Sequence, residues 1–84
     1  MHYLYLIKNE INELYFGCTH DLKRRFKEHN SGKSAYTRGH RWKLIYYEAY
    51  LSKEDAFLRE KRLKQFGQSM SHLKNRLKFT LSKN

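Results

Sequence analysis

The sequence predicts a small α/β fold, in which a three-stranded antiparallel sheet is flanked by three helices in the order β-β-α-β-α-α. Two observations carry this prediction. Short runs of aromatic and aliphatic residues on either side of a polar turn are typical of a β-hairpin, and three later segments repeat their apolar residues at helical spacing. Because the chain has 84 residues, we expect residues 1–84 to form one domain with a modest core.

The three strands are predicted at residues 3–7, 14–17 and 42–50. The first two strands flank a polar turn that begins at Asn9, so they are expected to pair as a hairpin. Successive side chains of a strand point to opposite faces. On the third strand this alternation predicts that one face carries Trp42, Leu44, Tyr46 and Glu48.

The first helix is predicted over residues 21–30. Thr19 is the expected N-cap, because its hydroxyl can accept a hydrogen bond from the first helical turn. Gly32 follows the helix and can take the left-handed conformation that often ends one. Residues 33–41 then form a basic loop that leads into the third strand.

The second helix is predicted over residues 53–66, with Ser52 as its cap and Gly67 as its stop. The third helix is predicted to begin near Ser71. Its apolar stripe at helical spacing consists of Leu73, Leu77 and Leu81.

The charge balance indicates a polyanionic partner. Eighteen Lys and Arg residues face eight Asp and Glu residues, for a net charge of +10, and this excess favours nucleic acid. The basic residues run from Lys8 to Lys83 rather than along one face of a single helix, which disfavours a membrane-surface role. Seven Tyr, five Phe and one Trp could stack on bases.

The sequence also predicts a cytoplasmic protein without a membrane partner. No stretch approaches the roughly 20 apolar residues that cross a bilayer, and the first residues lack the pattern of a secretory signal. Cys18 is the single cysteine, so an internal disulfide is impossible and a reducing compartment fits. We expect Cys18 to be a small apolar filler.

Three polar residues fall where a simple core would be apolar. On the first helix His29 lies on the stripe set by Leu22 and Phe26, and Arg25 lies at its edge. On the second helix Glu60 lies on the inward line, where a carboxylate is costly unless it is paired or bound to a metal. Each has an ordinary alternative: a solvated arginine, a packed histidine and a salt-bridged glutamate. Together, in a basic protein with tyrosines on facing strands, they favour a phosphodiester-cleaving site.

Several segments resemble the GIY-YIG nuclease superfamily. Tyr3-Leu4-Tyr5 and Tyr15-Phe16-Gly17 resemble its GIY and YIG elements. The segments that match its patterns GxTxDLxxRxxEHNxGK, YT…WKLVYYE and AxxREkxLK are residues 18–33, 36–38 with 42–48, and 56–64. The resemblance covers about residues 3–66 and is strongest to the short, single-domain bacterial branch that is similar to the excision-repair incision subunit.

The resemblance implies a role for each of five residues. Tyr5 and Tyr15 match the signature tyrosines, one of which helps to deprotonate the attacking water. Arg25 matches the arginine that stabilises phosphate charge, and His29 matches the histidine beside it. Glu60 matches the glutamate that holds a divalent metal, Mg²⁺ or another such as Mn²⁺. Which tyrosine takes the proton stays open.

The chain departs from the family pattern in two places. Tyr3 replaces the first glycine of the GIY element, and Gly39-His40-Arg41 stands where a proline usually precedes Trp42. His40 could face substrate or be an ordinary loop histidine. Asn75 is a candidate for a later polar residue of the family, although an exposed helical asparagine is the better explanation.

The resulting hypothesis is a metal-dependent endonuclease that hydrolyses phosphodiester bonds in DNA, in repair, recombination or uptake. Single-stranded or branched DNA is the expected substrate, and a homodimer or a partner protein could supply specificity. The residues expected to hold the DNA backbone by charge are Lys33, Arg38, Arg41, Lys61 and Lys64. The alternatives are a non-catalytic nucleic-acid-binding module on the same fold and, more weakly, a homing or restriction endonuclease.

Overall fold

The predicted hairpin is formed by β1 (His2–Asn9) and β2 (Leu14–Thr19) in the computed structural model, which describes residues 1–65 and 67–82. The later elements are α1 (Leu22–Asn30), β3 (Trp42–Tyr50), α2 (Lys53–Gln65), α3 (Gly67–Arg76) and α4 (Lys78–Ser82). The strands form one antiparallel sheet in the order β2-β1-β3. The predicted fold class is confirmed, with a short fourth helix added to the three that were predicted.

The hairpin register brings the two signature tyrosines to the same face of the sheet. Tyr5 on β1 pairs with Gly17 on β2, and Ile7 pairs with Tyr15 two residues further along. Because directly paired residues of neighbouring strands share a face, Tyr5, Ile7 and Tyr15 all point to one side.

A β-bulge in β3 corrects the prediction that its alternate residues share one face. Leu6 of β1 pairs with Tyr46, whereas the next residue of β1, Ile7, pairs with Leu44. Ile45 is therefore the extra residue, and an extra residue reverses the alternation beyond it. Trp42 and Leu44 lie on the face of Ile7, whereas Tyr46 and Glu48 lie on the opposite face with Leu6 and Leu4.

Both faces of the sheet are covered, and each carries its own core. On one face Tyr5, Ile7 and Trp42 are buried against the apolar side of α1, which contributes Leu22 and Phe26. The residues buried on the other face, against α2, α3 and α4, are Leu4, Leu6, Leu63, Leu73 and Leu77. The central strand β1 is thus apolar on both sides, and the candidate tyrosines lie on the α1 side.

The start of α1 differs from the prediction by one residue and by its cap. Asp21 is the N-cap, and its carboxylate accepts a hydrogen bond from the backbone N of Arg24 at 3.1 Å. The hydroxyl of Thr19 instead accepts from the backbone N of Asp21 at 3.1 Å, so it shapes the turn before the cap. Gly32 lies just beyond the helix with φ of +81°, as predicted.

The last helices begin earlier than predicted and are divided differently. Gly67 is the first residue of α3 rather than the stop of the second helix, and the predicted start near Ser71 lies inside α3. The predicted end of the second helix at Phe66 lies outside the described residues. A turn at Leu77 separates α3 from α4, yet the predicted stripe packs on one core, which includes Leu73, Leu77 and Leu81.

Candidate active site

Tyr5 is a buried candidate residue, with only 2% of its surface exposed. Its hydroxyl oxygen lies 2.6 Å from Nε2 of His29 on α1. The hydroxyl also lies against Gly17, the residue paired with Tyr5 on β2, where an added Cβ would come within 2.9 Å of Tyr5 Oη. The absence of a side chain at Gly17 therefore provides the space that the phenol occupies.

His29 connects Tyr5 to the loop between α1 and β3. It is fully buried, and its Nδ1 lies 2.9 Å from Oγ1 of Thr37, which is also fully buried. If the Thr37 hydroxyl donates to the Ser34 carbonyl at 3.5 Å, its oxygen is free to accept from Nδ1–H of His29. Nε2 then accepts a hydrogen bond from the Tyr5 hydroxyl. Burial and the charge of Arg25 lower the pKa of His29 to about 4, so the imidazole is neutral at pH 7.

The surroundings of Tyr5 keep its hydroxyl protonated at neutral pH. Burial raises the pKa of Tyr5 to about 12, although Arg25, as a neighbouring hydrogen-bond donor and positive charge, acts to lower it. Tyr15 and Glu60 also act on the Tyr5 hydroxyl electrostatically, and both raise its pKa. His29 is thus in direct contact with the Tyr5 hydroxyl, and Arg25, Tyr15 and Glu60 act on it electrostatically.

Arg25 lies one helical turn before His29, and its side chain is one-third exposed. Its Nη1 donates a hydrogen bond to Oε1 of Glu28 at 3.1 Å, and the tyrosines on β1 and β2 lie within its electrostatic reach. The guanidinium therefore connects the buried phenol to the surface. A partly exposed guanidinium suits the binding of a phosphate, which it can contact with two parallel hydrogen bonds.

Tyr15 lies beside the same histidine as Tyr5. Its ring meets the His29 ring edge-on with the centroids 5.2 Å apart, and it meets the Trp42 ring at 6.3 Å. The two signature tyrosines thus both contact His29, one through its hydroxyl and the other through its ring.

Glu60 lies on α2, which covers the other face of the sheet, and its carboxylate is near Cys18 of the edge strand β2. Its carboxylate is 22% exposed and pairs with the Lys64 ammonium at 3.1 Å, which is the ordinary salt bridge that the sequence left open. The Glu60 carboxylate and burial together raise the pKa of the Cys18 thiol to about 12. Cys18 donates to the carbonyl of Ala56 at 3.2 Å, so its role is that of a packed thiol, as expected.

The donor set fits a magnesium ion only if the substrate completes it. Within residues 1–65 and 67–82, no three His, Cys, Asp or Glu side chains are grouped as a metal site, and the Glu60 carboxylate acts to raise the pKa of Tyr5. Mg²⁺ is commonly held by one or two carboxylates together with water and substrate phosphate. A single, partly exposed glutamate is compatible with that arrangement.

The five predicted backbone-binding residues are all exposed but fall in two groups. Three lie in the loop between α1 and β3, and two lie on α2; they are Lys33, Arg38, Arg41, Lys61 and Lys64. Arg38 donates from Nε to the carbonyl of Gly32 at 3.1 Å, which keeps that loop closed. The first group leads into β3, and the second lies on the same helix as Glu60.

His40 contacts the hairpin turn. Its Nδ1 lies 2.6 Å from Oε2 of Glu10, and the other carboxylate oxygen of Glu10 accepts from the backbone N of Arg41 at 2.7 Å. These bonds lower the pKa of Glu10 to about 2 and raise the pKa of His40. His40 thus ties the loop to the turn. Asn75 is exposed on α3.

Thr37 is the site residue that sequence reasoning missed. It is bonded to His29 as described, and its carbonyl accepts from the Trp42 indole N–H at 2.9 Å. The segment containing Thr37 was noted for its family resemblance, but loops have no apolar period from which burial could be deduced. The role of Thr37 emerges only from the folded structure.

The three-stranded antiparallel sheet between helices, together with the family match to a catalytic domain, indicates a nuclease-type domain. The chain belongs to the GIY-YIG family, because the family model described as the GIY-YIG catalytic domain matches residues 1–75. Within the described residues, no helix is long and apolar enough to cross a membrane.

The chain is also similar to proteins named UPF0213. It is 45% identical over 65 residues to one from Bacillus pumilus, covering 75% of this chain and 66% of that protein, so it spans just under two thirds of that relative. It is 42% identical over 67 residues to one from Staphylococcus haemolyticus, covering 77% and 82%. The solution NMR structure of a UPF0213 protein from Bacillus halodurans superposes with a TM-score of 0.57 at 35% identity, covering 92% of this chain and 84% of the other. These matches confirm the resemblance to the short bacterial branch of the family.

Proposed function

We propose that this chain is a metal-dependent endonuclease that hydrolyses phosphodiester bonds in DNA. The observation that carries the proposal is the 2.6 Å hydrogen bond between Tyr5 and a neutral, buried His29, next to Arg25. A hydroxyl bonded to a neutral imidazole can pass on a proton, and a nearby guanidinium can receive a phosphate. The family match, which is to a catalytic domain, supports the same reading.

In the proposed mechanism Tyr5 and His29 act as a proton relay. The attacking water gives a proton to Oη of Tyr5 while Tyr5 gives its own proton to Nε2 of His29, so no free phenolate has to persist despite a pKa of about 12. The water oxygen bonds to phosphorus in line as the bond to the leaving oxygen breaks. The negative phosphate raises the pKa of His29 on binding, which favours the transfer. Tyr15 holds the His29 ring in position.

In the proposal Arg25 and Glu60 offset the negative charge of the phosphate, Arg25 directly and Glu60 by holding a cation. Arg25 exchanges its contact with Glu28 for the phosphate oxygens, where negative charge develops. Glu60 would hold a divalent cation, Mg²⁺ or Mn²⁺, whose charge stabilises the phosphate and leaving oxygens when it is bound. To do so Glu60 exchanges its ion pair with Lys64, which then becomes available to the DNA backbone.

The exposed basic residues support a nucleic-acid substrate that is bound without recognition of its base sequence. Lys33, Arg38, Arg41, Lys61 and Lys64 contact phosphates in the proposal, and phosphate contacts carry no sequence information. We therefore propose that the domain selects single-stranded or branched DNA, in repair, recombination or uptake. A homodimer or a partner protein would supply further specificity, and the cytoplasm is the proposed location, as the single cysteine indicates.

A cleavage panel tests the proposal. Labelled single strands, duplexes, forks and flaps are incubated with and without Mg²⁺ at stated salt, and we expect Glu60→Gln and Arg25→Ala each to lower the rate at least 100-fold. Asp55→Asn is the matched control, because it changes an exposed carboxylate on the same helix. Cleavage that survives Glu60→Gln would refute the metal assignment.

A non-catalytic nucleic-acid-binding module is the second candidate. It is favoured by the two ion pairs that occupy Arg25 and Glu60, at 3.1 Å each, because both residues are satisfied without substrate. Binding of DNA without any Mg²⁺-dependent cleavage across the panel would support the module over the nuclease.

A further inference from the structure

A small pocket opens between the hairpin and the basic loop, beside the candidate site. It encloses about 350 Å³ and is lined by Glu13, Leu14, Tyr15, Tyr36, His40 and Trp42. Three of its side chains are aromatic rings other than histidine. One wall, Tyr15, is also the ring that packs on His29 at 5.2 Å, so the pocket is one side chain away from the Tyr5–His29 pair.

Tyr36 is the unexplained residue of this pocket, with 86% of its surface exposed. The other strongly exposed aromatic side chains have partners in the structure: Tyr47 meets Tyr3, and Phe57 and Phe79 each lie under a lysine ammonium at 5.2 Å. Within the described residues, Tyr36 has neither a ring nor a cation as a partner. A large ring held in water without a partner is a candidate for binding a ligand.

The loop around Tyr36 is anchored on both sides. Ser34 and Thr37 are buried, and Thr37 is bonded to His29 and to the Trp42 indole. The exposure of Tyr36 is therefore imposed by a backbone that is fixed at its neighbours. An aromatic ring presented from an anchored loop loses little conformational freedom when it binds.

The chemistry of the pocket favours a base over a phosphate. Glu13 lies on the rim and Glu10 lies next to it through His40, and these carboxylates would repel a phosphate, whereas they could accept from an exocyclic amino group. The cations that suit the phosphates lie on the same loop, at Lys33, Arg38 and Arg41. Aromatic rings bind bases by stacking, whatever the sequence.

We propose that this pocket receives an unpaired nucleobase next to the cleaved phosphate, with Tyr36 as its stacking residue. The inference rests on the proposed function and deepens it, because a base that is paired inside a duplex cannot enter the pocket. The pocket thereby selects single-stranded or frayed DNA.

The test measures binding separately from cleavage. Affinity for a single-stranded oligonucleotide that carries fluorescent 2-aminopurine, and for its duplex, is measured in EDTA for wild type, Tyr36→Ala, Tyr36→Trp and the control Phe79→Ala. We expect Tyr36→Ala to weaken single-strand binding about 10-fold and duplex binding less than 2-fold. Tyr36→Trp should retain both affinity and the quenching of 2-aminopurine, and Phe79→Ala should match wild type.

Equal losses for single strand and duplex, no loss for Tyr36→Ala, or no single-strand binding by wild type would each overturn the proposal. In a second measurement, an abasic site is moved along the strand. The position where it weakens wild-type binding should have no further effect in Tyr36→Ala, because the two changes remove the same contact. Since neither readout requires cleavage, a protein that binds in this way but never cuts would refute the proposed nuclease and leave the base pocket standing.

Discussion

The buried position of His29 makes the free energy of unfolding depend on pH in a definite direction. The pKa of His29 is about 4 in the folded protein, against an ordinary value of 6.5. Between these values the unfolded chain binds a proton that the folded chain does not. The free energy of unfolding therefore falls as pH is lowered from 6.5 to 4, by at most about 1.4 kcal/mol per pH unit from this group.

Urea unfolding at half-unit pH steps measures this slope. We expect His29→Gln to flatten the slope between pH 6.5 and 4, because it removes the group that the unfolded state protonates. His72→Gln changes an exposed histidine on α3 and should keep the wild-type slope. An unchanged slope in His29→Gln would show that other groups govern acid stability.

At the scale of residues, some members of the candidate site could be predicted from the sequence and others could not. His29 and Arg25 could be assigned because helical spacing placed them on and beside an apolar stripe, and the structure has His29 fully buried. Thr37 could not, because it lies in a loop. Thr19 was predicted as the cap, whereas Asp21 is the cap found. Because both residue types cap helices, only the folded backbone decides between them.

At the scale of elements, Glu48 holds α2 against β3. Its carboxylate accepts hydrogen bonds from the hydroxyls of Tyr46 at 2.7 Å and Tyr50 at 2.5 Å, and from Nε of Arg59 on α2 at 3.0 Å. Burial acts to raise the pKa of Glu48, but these donors outweigh it and keep the pKa below its usual value. The stabilisation is therefore present above the ordinary carboxylate pKa and is lost as pH falls through the folded value.

We expect Glu48→Gln to lower the free energy of unfolding by about 1–3 kcal/mol, because the half-buried Arg59 loses its counter-charge. Glu54→Gln changes an exposed carboxylate of α2 and should stay within about 0.5 kcal/mol of wild type. Urea denaturation at pH 7 compares the two. Equal stability of Glu48→Gln and wild type would mean that the three donors find water as readily as the carboxylate.

The strands were more predictable than the helix ends. The bounds of β3 were predicted as found, Trp42–Tyr50, because a long run of aromatic and β-branched residues is specific. The bulge at Ile45 left no signal, since β3 carries apolar residues on both faces. Gly67 was mistaken for a stop because glycine usually ends helices, whereas here it begins α3.

At the scale of the whole molecule, the net charge of +10 predicts DNA affinity that depends steeply on salt. Each phosphate contact to a single strand adds about 0.7 to the slope of log affinity against log salt concentration. We expect Lys33→Ala and Lys61→Ala each to reduce that slope by about this amount. Lys74→Ala removes an exposed lysine from α3, away from the predicted contacts, and serves as the control.

The slopes are obtained from fluorescence anisotropy titrations at several salt concentrations in EDTA. A slope that falls equally for Lys33→Ala, Lys61→Ala and Lys74→Ala would indicate that the strand binds diffusely over the surface. A slope that changes only for the first two would restrict the DNA path to the loop and α2.

The bulge at Ile45 reverses the alternation of side chains between the two faces of β3. Before the bulge Trp42 and Leu44 share the face of the tyrosines, whereas beyond it the alternate residues Tyr46, Glu48 and Tyr50 share the face of the helical core. If the pairing from Tyr46 onward is kept, deleting Ile45 would turn Trp42 to the opposite face of the sheet, away from Tyr15 and the base pocket. A single extra residue in β3 therefore decides whether the Trp42 ring lines the candidate site or the opposite core.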